Sequence, residues 1–309
     1  MSLFTSDPKS VLQDTRWLQP LSDPPGGRPL CCDGYLSLMA THLTDLFTTG
    51  QARNLFIYGE PGTGKTVMVK YVLGEVAKHA SEAKLSIQTT YVNAGITRNP
   101  YYTMQEIVKQ LGVSVPCAGW QMSRLKQVFE GILAEKSVLI AIDEVDCIIF
   151  KEKEPLVYYL SRLPKTTLIL ISNDIDDVVK LPEKTLSTLH PVMLSAEPYT
   201  PEEVKQILEE RVDRTFRPNA IDSGLITRIA GTVSEAGDIR LGFRILLTTG
   251  LLAERDRKQA IDAAEVTAAI RKETNAKRLR EIEDLRDKFL KLKKSYEKHR
   301  PRSKQLIKF

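Results

Sequence analysis

The 309-residue sequence is short of cysteine (4) and histidine (4), and it has no long apolar run. The cysteines, Cys31, Cys32, Cys117 and Cys147, form no C-x-x-C pair, and two of them are adjacent. That spacing suits neither tetrahedral zinc nor a disulfide framework, so reduced thiols in an intracellular protein are expected. His42, His79, His190 and His299 are scattered with no H-E-x-x-H grouping, which argues against metal ligation. The densest apolar run, Val138–Ile142, is broken at once by Asp143 and Glu144. It falls far short of the roughly 18–20 residues of a membrane helix, so no membrane partner is expected. The opening residues, MSLFTSDPKSVLQDTRW, carry charges too evenly for a secretory signal, and a cytoplasmic location follows.

What is present is charge, unevenly placed. The chain carries 44 Lys+Arg against 39 Asp+Glu, net +5, with 42% hydrophobic residues, enough to build ordinary cores. From Arg271 to Phe309 there are 15 basic and 6 acidic residues, leaving 29 against 33 in the rest. A mildly acidic body therefore precedes a strongly basic end.

Residues 1–30 hold Pro8, Pro20, Pro24, Pro25 and Pro29 with Gly26 and Gly27, and read as an extended N-terminal arm. Residues 31–196 alternate β-rich runs with helical patterns, the mark of a parallel sheet with crossover helices. The strands are expected at Asn54–Tyr58, Thr89–Asn93, Ser137–Asp143, Thr167–Ser172 and Pro191–Leu194. Residues 197–276 turn all-helical, opening on the capping box Thr200-Pro201-Glu202-Glu203. Helices follow at Ser223–Val233, Asp238–Glu254 and Ala263–Ala276, the last behind a second capping-box spacing, Asp262 to Glu265. Residues 277–309 read as a basic amphipathic helix or tail in which Leu279, Ile282, Leu285, Phe289, Leu292 and Tyr296 keep a narrow apolar stripe.

Gly59-Glu60-Pro61-Gly62-Thr63-Gly64-Lys65-Thr66 matches the phosphate-binding G-x-x-x-x-G-K-[ST] pattern, between the strand ending at Tyr58 and a helix beginning near Val67. That order is what the chemistry needs: backbone N–H groups close around phosphates at a helix N-terminus. ATP or ADP with Mg²⁺ is the expected ligand, cradled by Gly59 to Val67. Lys65 would reach the β- and γ-phosphates, and Thr66 would ligate the metal. Asp143, at the end of a buried strand, would also hold Mg²⁺, and Glu144 would polarise a water for attack on the γ-phosphate. Asn173, after another buried strand, would lie at the same carboxyl edge, where ligands bind in open α/β sheets. Arg240, in Gly237-Asp238-Ile239-Arg240, would reach the γ-phosphate from the helical domain. Glu144, Lys65, Asn173 and Arg240 are thus the candidate catalytic residues.

Together these residues resemble an AAA+ ATPase, and closer still the archaeal replication initiators related to origin-recognition and cell-division-cycle loader proteins. The likeness runs through NLFIYGEPGTGKTVMVKY (54–71), YVNAGITRNPYYTMQEIVKQLG (91–112), AIDEVD (141–146), LISND (170–174), PYTPEEVKQILEERV (198–212) and GDIR (237–240). It implies a three-layer αβα P-loop domain with a parallel five-stranded sheet, followed by a small helical lid and then the basic helix. It also implies that the Asn173 strand lies between the P-loop and Asp143 strands. A helical insertion around Thr97–Gln121 would face DNA, in a nucleoid-associated protein. Three departures stand out. The family carries a winged-helix domain after the lid, and this sequence stops where one would begin. Lys184 stands where an arginine finger is expected, and a Lys cannot make the bidentate contact. Cys32-Asp33 replaces the Arg-acidic pair before the P-loop, with Arg28 nearby.

The expected activity is slow ATP hydrolysis coupled to DNA binding in replication initiation, non-specific or partner-directed. The alternatives are a regulatory ATPase acting only through protein partners and an ATP-binding paralogue with little hydrolysis. The basic end is open to three readings: a solvated helix, a phosphate-backbone contact, or a helix for self-association or a replication partner.

Overall fold

Continuous apolar runs become strands buried on both faces. In the computed structural model, which describes residues 10–19, 22–116, 119–149, 156–179 and 181–299, they form one sheet. Its strands are β1 (Leu55–Tyr58), β2 (Ile87–Asn93), β3 (Ser137–Asp143), β4 (Thr166–Ser172) and β5 (Val192–Ser195). They run parallel in the order β2-β3-β4-β1-β5. The β4 strand, which leads into Asn173, therefore lies between β1 and β3, as the resemblance implies. Every residue of β3 and β4 is buried, as expected of parallel strands covered by helices on both sides.

Alternation within the strands feeds two cores. Phe56, Ile140, Ile142, Leu168 and Leu170 pack with the helices Pro100–Gln110 and Met122–Glu135. Leu55, Ile57, Leu139, Ala141, Ile169 and Ile171 pack with the P-loop helix Lys65–Glu82 and with Leu36, Met39 and Leu43. The region expected as a DNA-facing insertion is divided between two environments. Met104, Ile107 and Val108 of Pro100–Gln110 are wholly buried, whereas Tyr102 of the same helix is exposed.

A third core belongs to the lid, built on helices Pro201–Thr215, Ser223–Ala236, Ile239–Arg255 and the start of Ala263–His299. Both capping signals are realised. The Thr200 hydroxyl accepts from the Glu203 N–H while the Glu203 carboxylate accepts from the Thr200 N–H. Likewise the Glu265 carboxylate accepts from the Asp262 N–H and Asp262 accepts from Ala264.

Most boundaries lie within about three residues of the sequence pattern, and two differ by more. The last helix does not stop at Ala276 but continues to His299 as one 37-residue element, because no Gly or Pro interrupts residues 263–299. Its residues Leu279, Ile282, Leu285 and Phe289 are exposed. The N-terminal arm is docked on the lid from Ser10 onward. Val11, Leu12 and Leu18 are buried in the lid core, Leu12 bridges Phe216 in antiparallel fashion, and the Gln13 N–H donates to Thr215 O at 2.7 Å. Prolines and glycines around these few apolar residues hid them from periodicity. The first nine residues, Cys117 and everything beyond His299 lie outside the described residues.

Arg211 clasps this arm. It is buried, its Nη1 donates to Trp17 O (3.1 Å), Ser22 Oγ (3.0 Å) and Asp23 O (2.8 Å), and its guanidinium lies 4.9 Å from the Phe243 ring centroid. Replacing Arg211 by Ala strands those acceptors and is expected to lower stability by about 2–3 kcal/mol, read as a denaturant midpoint shift. An unchanged midpoint would show that the arm does not depend on this clasp.

Candidate nucleotide site

The turn after β1 is shaped by residues that can hold unusual backbone angles. Gly62 has φ 88° and Gly64, the N-cap of the P-loop helix, has φ 81°. These left-handed conformations suit glycine and let consecutive N–H groups point into one concavity. Lys65 follows directly and is 6% exposed. Its Nζ donates to Gly59 O at 2.7 Å and Glu60 O at 2.8 Å, so the ammonium closes the loop on itself. Burial lowers Lys65 to about 8; the Asp143 anion opposes that shift and the Arg240 cation adds to it. An incoming polyphosphate would stabilise the charged form that burial disfavours.

Behind the loop, the P-loop helix and the ends of two strands converge on Asp143, which is 4% exposed. Its Oδ2 accepts from the Thr66 hydroxyl at 2.6 Å and from the Tyr91 hydroxyl at 2.8 Å. Its Oδ1 accepts from the Glu144 N–H at 2.9 Å. Thr66 and Asp143 therefore offer the paired oxygens that Mg²⁺ takes when phosphates and water complete its shell. No group of three or more His, Cys, Asp or Glu side chains forms a metal cluster among the described residues. The donor set fits Mg²⁺ bound with a nucleotide better than a metal caged by protein alone.

Glu144 leaves β3 in a left-handed conformation, φ 51°. Its carboxylate lies over Gly95, where an added Cβ would collide with Oε2, and Asn93 Nδ2 donates to Oε1 at 3.4 Å. Asn173 follows β4 at the carboxyl edge and is exposed. Among the expected residues, Lys65, Thr66, Asp143 and Glu144 thus stand together behind the loop.

Arg240 approaches from the lid. Asp238 caps the helix Ile239–Arg255 by accepting from the Arg240 N–H, and it also accepts from Arg240 Nε at 2.8 Å and Nη2 at 3.1 Å. The lid touches the P-loop itself: a Cβ on Gly62 would strike the Asp238 carboxylate, and one on Gly64 would strike the Tyr199 hydroxyl. Arg240 therefore stands at the loop but is held by its own neighbour. Two other positions singled out in the sequence have neighbours of their own. Lys184 Nζ lies 4.7 Å from the Tyr158 ring centroid, and Arg162 Nη1 donates to Tyr158 Oη at 2.9 Å. Arg28 pairs with Asp33, while burial pushes the Cys32 thiol up to about 11.

Sequence reasoning missed Tyr91, Asn93, Asp238 and Tyr199. The first two had a readable signal, since Tyr91-x-Asn93 on a strand places both on one face.

A phosphate loop, an Asp-Glu strand end and a helical lid on this strand order define an AAA+ protein. Residues 48–173 match the family described as AAA domain, and residues 205–271 match the Cdc6 AAA+ ATPase-type lid domain. The "ORC1-type DNA replication protein" of Pyrococcus abyssi is 31% identical over 231 residues, covering 70% of this chain and 55% of that protein. The "ORC1-type DNA replication protein 1" of Archaeoglobus fulgidus is 28% identical over 246 residues, 77% of this chain and 60% of that protein. Among solved structures, the Aeropyrum pernix ORC1 protein in complex with DNA aligns with TM-score 0.76 and 26% identity, over 85% of this chain and 70% of that one. The chain belongs to the archaeal Orc1/Cdc6 type of AAA+ ATPases. It spans a little over half the length of these curated relatives.

Gly62→Ala is expected to weaken nucleotide binding at least about tenfold, because the new methyl must displace Asp238 from a loop already at φ 88°. Titration with a fluorescent ADP would check it, and wild-type affinity would refute the cradle.

Proposed function

We propose that this protein is an ATP-binding and ATP-hydrolysing switch of DNA replication initiation whose nucleotide state controls its grip on DNA. The observation that carries the reading is the seating of Asp238 and Tyr199 directly on two of the P-loop glycines, Gly62 and Gly64. Whatever fills the P-loop acts on these lid contacts, so the ligand and the core–lid angle are mechanically linked.

The residues divide the chemistry among themselves. Lys65 leaves its carbonyl partners to bind phosphate oxygens, and the loop N–H groups fix the rest of the chain of phosphates. Mg²⁺, held by Thr66 and Asp143, would neutralise charge developing on the phosphate oxygens. Glu144 orients a water as its base, and must swing free of Asn93 to do so. Arg240 exchanges Asp238 for the γ-phosphate, drawing the lid inward. Asn173, at the end of β4, hydrogen-bonds the γ-phosphate or the attacking water. Lys184, engaged by Tyr158, supplies only a point charge to a neighbouring subunit, which keeps turnover slow.

For DNA, the support is the net basic segment 271–309 and the family resemblance to a protein solved with DNA bound. Lysines and arginines there would displace counterions from the backbone without reading bases. A second reading, a regulatory ATPase acting through proteins, draws on the exposed Leu279, Ile282, Leu285 and Phe289.

Glu144→Gln is expected to retain ATP binding and to lose about 10²-fold or more in turnover; equal rates would remove Glu144 from the mechanism. Wild-type DNA affinity should depend on nucleotide and fall steeply with salt, and deletion of residues 277–309 should reduce it. No binding at low salt in any nucleotide state would sink the DNA reading. If the deletion abolishes only capture of a protein partner, the regulatory reading takes its place.

A further inference from the structure

The Asp143 carboxylate uses three donors, and one of them has no part in the chemistry assigned so far. Thr66 and the Glu144 N–H belong to the loop and the strand end. Tyr91 comes from β2, the neighbouring edge strand, whose Tyr91 pairs in register with Ala141 and whose Asn93 pairs with Asp143. The phenol reaches two residues along the sheet to donate to Asp143 Oδ2 at 2.8 Å, the same oxygen that Thr66 approaches at 2.6 Å.

Both lone pairs of Oδ2 are thereby occupied, while Oδ1 spends one on the Glu144 N–H. The carboxylate cannot rotate without breaking bonds to two strands and a helix. Only one lone pair, on Oδ1, remains for a further partner. The ring itself is anchored: Lys70 Nζ, one turn beyond Thr66 on the P-loop helix, sits 4.7 Å from its centroid. A cation over the ring face strengthens the phenol as a donor.

We infer that Tyr91 is a positioning residue that fixes the orientation of the Asp143 carboxylate toward the Mg²⁺ of a bound nucleotide. It does not touch nucleotide or metal; it acts through Asp143, as partners behind a metal ligand do. The inference rests on the nucleotide reading of the P-loop and adds a residue to it.

The test uses the full chain and the Tyr91→Phe variant, which keeps the ring beneath Lys70 but removes the hydroxyl. Mn²⁺ titrated into the protein–ADP complex, followed by its electron paramagnetic resonance signal, should show metal affinity weakened about 10- to 100-fold. ADP affinity in EDTA should stay within about twofold of wild type, since Tyr91 contributes nothing without the metal. Thr90→Val, which removes the hydroxyl bonded to Gln110 on the opposite face of β2, should change neither quantity. A second readout needs no variant: in wild-type protein carrying tyrosine labelled with ¹³C at Cζ, Mg²⁺ added to the ADP complex should shift the Tyr91 resonance. Equal Mn²⁺ affinity in Tyr91→Phe and wild type overturns the proposal, as does an unmoved resonance. Parallel losses with and without metal reduce Tyr91 to a structural role and also overturn it. If wild-type protein binds no ADP even in the presence of metal, the nucleotide reading itself falls, an outcome distinct from both.

Discussion

A carboxylate exposed by 4% at the end of a central strand needs donors from its surroundings, because an unpaired buried charge costs several kcal/mol. Asp143 meets that requirement with donors from three parts of the chain. Thr66 comes from the P-loop helix, Tyr91 from β2 and the Glu144 N–H from its own strand end. Lys65 lies close enough for the two charges to feel each other. This set of bonds holds the loop, the sheet and the helix in one register. The parallel order β2-β3-β4-β1-β5 brings the carboxyl ends to one edge, where Asp143 stands.

Around that anion the charges are arranged as exchangeable pairs. Lys65 satisfies itself on the carbonyls of Gly59 and Glu60, Arg240 on Asp238, and Glu144 on Asn93. Each of these groups already has a partner within the protein. Binding then requires rearrangement of existing hydrogen bonds instead of the ordering of free side chains, which lowers the entropy cost.

The sequence patterns went furthest where the physics is local. The strand Ser137–Asp143 coincides with its apolar run, and the two capping boxes are visible as Thr200–Glu203 and Asp262–Glu265. The G-x-x-x-x-G-K-T spacing likewise located the glycine turn between β1 and the helix Lys65–Glu82. What escaped was non-local. Tyr91 and Asn93 share a strand face, but only the pairing of β2 with β3 shows which carboxylates they meet. Asp238 sits in a quoted motif, yet its contact with Gly62 crosses from lid to core. The docked arm was hidden because three buried side chains, Val11, Leu12 and Leu18, are too few for a period. Burying each contributes roughly 1.5–3 kcal/mol, enough to hold a short segment without any regular pattern.

The unbroken helix Ala263–His299 has a geometric consequence. Its first turns are packed in the lid through Val266, Ala269 and Ile270, and the 23 residues from Lys277 to His299 carry the same axis onward. At 1.5 Å per residue that extension measures about 35 Å. A helix of this length acts as a lever: tilting the lid by about 10° would sweep its far end through about 6 Å. A hydrogen-bond exchange at the P-loop, ångströms in scale, would thereby be magnified at the basic end into a displacement comparable to the spacing of adjacent phosphates along a nucleic-acid strand.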